Sequence, residues 1–216
     1  LPVLPDSLET LSAYQCNLSV APLLGSNLNT IDLRHNQLTT IDSFPLSATI
    51  INISENLITT LPNIPENVKR LYVSNNLLTS IPYIPDSINT FHFDHTQITT
   101  IDSIPKYCSL IIGSYNQISI LPNLPSYSRL YFTNNLITTV PPLKKNVTLL
   151  LSYNLIQSLT ILDDTLEALL IDHNPISCLP LIRKCDSLWI GNTNIHCLPF
   201  RIPDYYNNND VNLDTF

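Results

Sequence analysis

The chain of 216 residues is rich in apolar side chains and poor in charge, with 44% hydrophobic and 12% charged residues. Its net charge of −7 argues against a nucleic-acid partner, because binding to a phosphate backbone depends on clustered Lys and Arg. No stretch reaches the ~18 uninterrupted apolar residues of a membrane span, so we expect none. The 17 Pro against 3 Gly indicate stiff, extended connectors.

A single phrase recurs along the chain about every 20 residues. It reads LYVSNNLLTSIP at residues 71–82 and INISENLITTLP at residues 51–62. A repeat of this length, with the spacing L-x-V-x-x-N-x-L, is typical of leucine-rich repeats, in which each coil supplies one strand. We number every coil so that the Asn of the phrase is position 9.

Ten coils align on position 9, in steps of 19 or 20 residues. The residues at this position are Cys16, Asn36, Asn56, Asn76, Thr96, Asn116, Asn135, Asn154, Asn174 and Thr193. Because so many coils leave no room for a second domain, we predict a solenoid over residues 1–203 and a polar tail over residues 204–216. Residues 1–5 read as the end of an earlier coil, so we expect an excised or processed piece that a cap or further coils preceded.

Positions 4, 6 and 11 are apolar in nearly every coil, and positions 3 to 8 alternate as a half-buried strand does. One strand per coil predicts a parallel sheet. The Asn at position 9 offers a donor and an acceptor to backbone groups that turn inward without sheet partners. Two prolines three residues apart in the return half favour an extended, polyproline-like path over a helix. The predicted fold class is a mostly β and extended solenoid, of the α/β class by convention.

The coil L-x-x-L-x-V-x-x-N-x-L-T-x-I-P-x-I-P closely resembles the short, LPX-type class of leucine-rich repeats, best known from type III secreted bacterial effectors. The resemblance covers residues 1 to about 203. It implies a right-handed solenoid with a concave sheet, and delivery into a host cell. Some members carry a ubiquitin-ligase domain with a Cys-x-Asp motif, which none of the five cysteines here matches. We therefore carry over no catalytic residue and expect a protein that is not an enzyme.

Two groups of side chains have the types that bind metals or form disulfides. His92, Asp94 and His95 could suggest zinc, but neighbouring coils offer no fourth ligand, and a solvated strand face is the favoured interpretation. Cys178 and Cys197 occupy position 13 of adjacent coils, within reach of a disulfide, yet an odd number of cysteines favours free thiols. We predict no metal site, no cofactor, and folding without a disulfide.

The candidate binding site is the column at position 5, which points outward from the middle of each concave strand. This column is polar in the first three coils and apolar or aromatic in the last five. Those five residues are Ile112, Tyr131, Leu150, Leu170 and Trp189. At ~4.8 Å per coil they would form a stripe roughly 20 Å long.

Further side chains border this stripe. Tyr115 and Tyr153 lie beside it at position 8, and Asp172, His173 and Asn192 supply a polar rim. Exposed apolar patches with polar edges usually mark interaction sites, and Trp and Tyr are common hot-spot residues. Coverage of the stripe by the C-terminal tail or by a second copy is the alternative interpretation.

These features predict a module that binds a partner protein on its concave face, as the targeting part of a host-directed effector. We expect a monomer or weak self-association. Two alternatives stay open. One is a substrate-recognition fragment of a larger enzyme such as a ubiquitin ligase, and the other is a self-associating structural or surface component.

Overall fold

A computed structural model of the chain describes residues 4–143, 145–159, 165–182 and 184–197, together with the backbone of residues 211–212. It divides into two compact units, Leu1–Leu110 and Ile111–Phe216. The predicted partial first coil lies outside the described residues at positions 1–3, and most of the predicted tail lies outside them as well.

In the first unit each coil contributes one strand of three residues, parallel to the next. The strands are β1 (Thr10–Ser12), β2 (Thr30–Asp32), β3 (Ile50–Asn52), β4 (Arg70–Tyr72) and β5 (Thr90–His92). Equivalent positions are in register, so Leu11 lies beside Ile31. A further strand, β6 (Leu110–Ile112), begins at the last residue of this unit.

In the second unit the strands lengthen from three to five residues, and a final strand of two residues follows. They are β7 (Arg129–Tyr131), β8 (Val147–Leu150), β9 (Leu166–Leu170), β10 (Cys185–Trp189) and β11 (Val211–Asn212), and all pair in parallel. The register shifts once, between Val147 and Thr148. Strand β11 places two residues of the predicted tail beside β10.

The core of both units consists of the apolar columns that the repeat predicts. In the first unit Ile51 and Ile53, at positions 4 and 6, are fully buried, and in the second unit Leu149 and Leu151 are buried in the same way. Burying an aliphatic side chain stabilises a fold by about 1.5–3 kcal/mol. Because each coil covers its neighbour, stacking rather than any single coil holds the fold together.

The Asn column forms a ladder of hydrogen bonds between coils. In the first unit Nδ2 of Asn76 donates to the carbonyls of Val73 at 2.9 Å and Ser74 at 3.3 Å in its own coil. The same nitrogen donates to Ile53 of the preceding coil at 3.1 Å, and Oδ1 accepts from the N–H of Ile58 at 2.9 Å. One buried side chain thus satisfies backbone groups in two coils.

The return half of each coil is not helical, and the described residues contain no helix. In the first unit the second proline of this half begins a turn, in which its carbonyl accepts the N–H three residues later. The bond from Val68 to Pro65 is 3.1 Å, and the one from Ile88 to Pro85 is also 3.1 Å. The prolines therefore set the corner that leads into the next strand.

Position 8 adopts a left-handed backbone conformation in every coil, with φ between 51° and 57°, which the sequence did not indicate. The residues are Gln15, His35, Glu55, Asn75, His95, Tyr115, Asn134, Tyr153, His173 and Asn192. This conformation costs most residues other than Gly, Asn and Asp roughly 1–2 kcal/mol. Because all ten coils share it, it belongs to the turn after the strand and not to a particular site.

Candidate protein-interaction surface

The predicted apolar row lies on the exposed face of the second unit, at the last residue of each strand. The register pairs Tyr131 with Leu150, Leu150 with Leu170, and Leu170 with Trp189. Ile112 ends β6 in the same way. The residues just before these five are buried, so alternation along the strand turns the row to the other face.

The row is less exposed than five isolated apolar side chains would be. Trp189 is 46% exposed, whereas Ile112, Tyr131, Leu150 and Leu170 are half-buried. Neighbouring side chains on one sheet face are close enough to cover one another's flanks. The row is therefore a continuous apolar strip, with its aromatic end at Trp189 the most accessible part.

Two tyrosines at position 8 border this row. Tyr115 and Tyr153 are each 50% exposed. A tyrosine presents a large apolar ring with a polar tip, which suits it to surfaces that are alternately wet and covered. The border therefore enlarges the aromatic area next to the row.

The polar rim is an ordered network. Ser152 Oγ donates to Asp172 Oδ1, and Asp172 Oδ2 lies 2.9 Å from His173 Nδ1. The other ring nitrogen, Nε2 of His173, lies 3.1 Å from Nδ2 of Asn192. An amide N–H can only donate, so His173 carries its proton on Nδ1 in this arrangement. The imidazole also stacks on Tyr153, with ring centroids 4.0 Å apart.

The network has Ser, Asp and His but not the geometry of a nucleophilic triad. Ser152 donates to the carboxylate, whereas activation of a serine needs its hydroxyl on the imidazole. Both ring nitrogens of His173 are already engaged. The arrangement fixes the orientation of side chains, which suits a recognition surface.

Ser152 was absent from the sequence prediction, although a signal for it exists. In the first unit Ser74 donates to Asp94, and His95 Nδ1 lies 3.0 Å from that carboxylate. In both units a Ser at position 7 precedes an Asp-His pair by 20 residues. Reading the columns in pairs of adjacent coils would have found both networks.

The equivalent column of the first unit is polar or aromatic, and several of its side chains pair with neighbouring side chains. Arg34 donates from Nε and Nη2 to both carboxylate oxygens of Asp32, at 2.9 and 2.8 Å. These hydrogen bonds hold the pKa of Asp32 below its usual value, against an opposing effect of burial. Tyr72 and His92 follow in the column, with their rings packed edge to face at 4.8 Å.

The metal site considered at His92, Asp94 and His95 is not assembled. Within the described parts of the chain, one group brings three ligand atoms together, and it consists of Cys178, His196 and Cys197. His92 instead buries Nε2 without a hydrogen-bond partner. His196 is not among the residues predicted from the sequence, although it directly precedes one of the paired cysteines.

The expectation of free thiols at Cys178 and Cys197 is wrong. The two Cα atoms lie 4.9 Å apart in a bridge between adjacent coils, and the sulfur atoms are joined as a disulfide. Coil stacking brings the two residues together. An odd number of cysteines leaves one thiol unpaired, but it does not prevent this pair from bonding. Cys16, Cys108 and Cys185 are free. Burial raises the pKa of Cys108 to about 12 and that of Cys185 to about 11, which keeps both as thiols.

The repeated strand, the asparagine ladder and the proline corner define a leucine-rich repeat solenoid, as predicted. No family model and no curated protein matches the chain. The described residues include no helix that is long and apolar enough to cross a membrane.

Solved structures of leucine-rich repeat proteins match most of the chain. YopM, a leucine-rich effector protein from Yersinia pestis, is 24% identical at a TM-score of 0.79, over 92% of this chain and 62% of YopM. A leucine-rich repeat domain of a Shigella effector is 23% identical at a TM-score of 0.55, over 90% of this chain and 72% of that domain. The functional domain of InlJ from Listeria monocytogenes, which includes a cysteine ladder, is 18% identical at a TM-score of 0.61. This match covers 89% of this chain and 53% of the InlJ domain.

At these identities the likeness establishes the fold alone. The chain spans about three fifths of the length of YopM, since the match covers 62% of it. The activities and partners of these proteins therefore do not transfer to this chain by similarity.

Proposed function

We propose that the chain is a protein-interaction module, and that the apolar row of the second unit, with its two tyrosines and its polar rim, is the surface that binds a partner protein. One observation carries the proposal. The column at position 5 is polar in the first three coils, continues through Tyr72 and His92, and is apolar or aromatic throughout the second unit, while the buried columns beneath keep the same character.

The apolar row adds nothing to the core of the second unit. Leu149 and Leu169 already fill the interior of their coils, whereas Leu150 and Leu170 face the other way. Apolar residues in a row on a solvated sheet face are not part of the core, and they raise the risk of aggregation. Their presence over consecutive coils therefore supports a surface that is covered when a partner binds.

The composition of the surface fits a binding hot spot. Tyr131 and Trp189 stand in the row, and Tyr115 and Tyr153 border it. Tyr and Trp give large contact areas while few rotatable bonds become fixed. The network around His173 holds the rim in place before a partner arrives, which reduces the entropy that binding costs.

The test is the double variant Tyr131→Ala/Trp189→Ala. Partners would first be captured from host-cell lysate with the wild-type chain and identified by mass spectrometry, and affinity would then be measured with the isolated partner. We expect the free energy of binding to weaken by at least ~2 kcal/mol. The melting temperature should hardly change, because neither side chain is in the core.

The matched control is Tyr83→Ala/Tyr107→Ala, which removes two tyrosines that are each 68% exposed and lie outside the row. This control should bind the partner as the wild type does. Unchanged binding by the Tyr131/Trp189 variant, or unfolding of that variant, would contradict the proposal. Concentration-dependent dimerisation that the same variant abolishes would assign the row to a second copy instead.

The more specific proposal is that the module targets a host-directed effector to its partner. It is supported by the LPX-type coil and by the fold shared with effectors of Yersinia and Shigella. We expect the wild-type chain to capture a specific protein from eukaryotic lysate and none from bacterial lysate. Capture from bacterial lysate alone would remove the effector role and keep the binding module.

A further inference from the structure

The last described coils of the second unit hold a cluster of soft metal ligands outside the proposed binding surface. Cys178 and Cys197 lie opposite each other in the bridge between coils. One ligand atom from each of them and one from His196 all lie within 4.8 Å of one another. Cys178 and His196 are exposed and Cys197 is half-buried, so both a reductant and a metal ion can reach the cluster.

The histidine of this cluster is oriented by the backbone. Its Nδ1 lies 3.0 Å from the carbonyl oxygen of Asn194. A carbonyl only accepts, so the bond requires a proton on Nδ1 and leaves the lone pair of the neutral ring on Nε2. Metal-binding histidines are commonly held in this way, with the other ring N–H on a backbone carbonyl.

We propose that Cys178, His196 and Cys197 form a zinc site that reduction of the disulfide opens. In the oxidised chain the sulfur atoms are bonded to each other and offer no thiolate. Reduction adds two electrons and two protons and gives two thiols, while a thiol reductant is oxidised to its disulfide, or a phosphine with water to its phosphine oxide. Zn²⁺ then displaces the two thiol protons.

The geometry fits a zinc ion with three protein ligands. At tetrahedral angles, Zn–S bonds of about 2.3 Å and Zn–N bonds of about 2.0 Å hold the ligand atoms of one ion about 3.5–3.8 Å apart. The ligand atoms lie within 4.8 Å of one another, so side-chain rotations that move them by about 1 Å bring them to these separations. Two thiolates and one imidazole leave the fourth tetrahedral position to water. The site is thus alternately a covalent bridge between coils and a metal-bound bridge between the same coils.

The experiment uses the full chain, untreated or treated with a phosphine and then freed of metal. Thiols titrated in denaturant should rise from three to five, since the chain has five cysteines and two are bonded. Zn²⁺ binding would be measured by competition with a chromophoric chelator. Co²⁺ would serve as a spectroscopic probe, because thiolate ligands give it a charge-transfer band.

We expect the reduced chain to bind one Zn²⁺ and the untreated chain none. Cys178→Ser should abolish the charge-transfer band of the reduced chain, and His196→Gln should weaken Zn²⁺ binding at least tenfold. Cys16→Ser, which removes an exposed free cysteine of the first unit, is the matched control and should bind as the wild type does.

Three results would overturn the proposal. A thiol count that stays at three after phosphine treatment means that the bridge does not open. Absence of Zn²⁺ binding by the reduced chain means that the cluster cannot close on a metal. Equal binding by Cys178→Ser or His196→Gln, with circular dichroism confirming that the variants fold, means that the metal binds elsewhere.

Discussion

Position 5 is the last residue of each strand. It is Asp32 and Asn52 on neighbouring strands of the first unit, and Leu150 and Leu170 on neighbouring strands of the second. The residues just before them are buried and aliphatic in both units. In a solenoid, stacking fixes what the inner columns must be, whereas the outward face has no such constraint. The comparison therefore separates what keeps the coils together from what distinguishes one stretch of coils from another.

The largest effect is expected in the ladder, which both units share. Asn76→Ala in the first unit and Asn154→Ala in the second each leave at least four backbone hydrogen bonds unmade. Each unpaired buried group costs about 1–3 kcal/mol, so we expect each variant to lose at least about 3 kcal/mol of unfolding free energy. Urea unfolding would measure both.

The two losses should be similar, because the two side chains have the same partners in their own coils. A much smaller loss for Asn154→Ala would mean that the ladder holds only the first unit. The exposed neighbour Asn75 provides the control, since its side chain is outside the ladder.

The disulfide should distinguish the second unit from the first. It closes a loop with a sequence separation of 19 residues, and cross-linking a loop of about that size stabilises a protein by about 3 kcal/mol in the chain-entropy model. We expect a phosphine, with a metal chelator present, to lower the unfolding free energy of the wild type by that amount. The same treatment should leave Cys178→Ser unchanged, and an equal loss in both would show that the bridge does not contribute.

A smaller effect is expected at position 8, where the backbone is left-handed in both units. The sequence places Asn75 on the surface, and on that basis alone Asn75→Ala would be nearly neutral. Its φ of 53° changes the expectation, because Asn tolerates the left-handed conformation and Ala does not. We expect Asn75→Ala to cost about 1 kcal/mol and Asn75→Gly to be close to neutral. Equal unfolding midpoints for the two variants would contradict this explanation.

The sequence predicted the features that recur in every coil as a residue type. It did not predict features that occur in one pair of coils or that depend on backbone conformation. The ladder and the buried columns follow from a 20-residue period, because ten aligned coils give every inner position several examples. The left-handed turn was missed because Glu55 and Tyr115 do not indicate it as Gly would. The column at position 13 placed Cys178 next to Cys197, but the odd number of cysteines argued for free thiols. His196 was missed because its contact with the two cysteines occurs in one pair of coils only.

The candidate surface was predicted in part. The identity of the row follows from alternation along the strand, so position 5 could be assigned from the sequence. The sequence did not indicate that Leu150 and Leu170 are half-buried, nor that Ser152 and Asn192 tie Asp172 and His173 into one network. These are properties of neighbouring side chains, and they depend on rotamers that no sequence pattern specifies.

The smallest expected effect concerns His92, the last polar residue before the apolar row begins. Burial lowers the pKa of His92, and Asp94 opposes that shift only partly. The unfolded chain therefore binds a proton to this residue at a higher pH, near 6.5, than the folded chain does. The contribution of His92 to the free energy of unfolding is therefore fully present above that pH. It is lost as the pH drops from about 6.5 towards the lower pKa of the folded state.

His92→Phe tests this dependence, since it keeps a ring against Tyr72 and removes both the titration and the unpartnered Nε2. Urea unfolding at pH 7.5 and pH 5.5 should show a smaller loss on acidification for the variant than for the wild type. Leu46→Ala is the control, because it removes an exposed side chain that does not titrate and should leave the loss unchanged. An equal pH dependence in His92→Phe and the wild type would mean that water reaches the imidazole of His92 in the folded chain. The last position 5 residue of the first unit would then have no buried nitrogen.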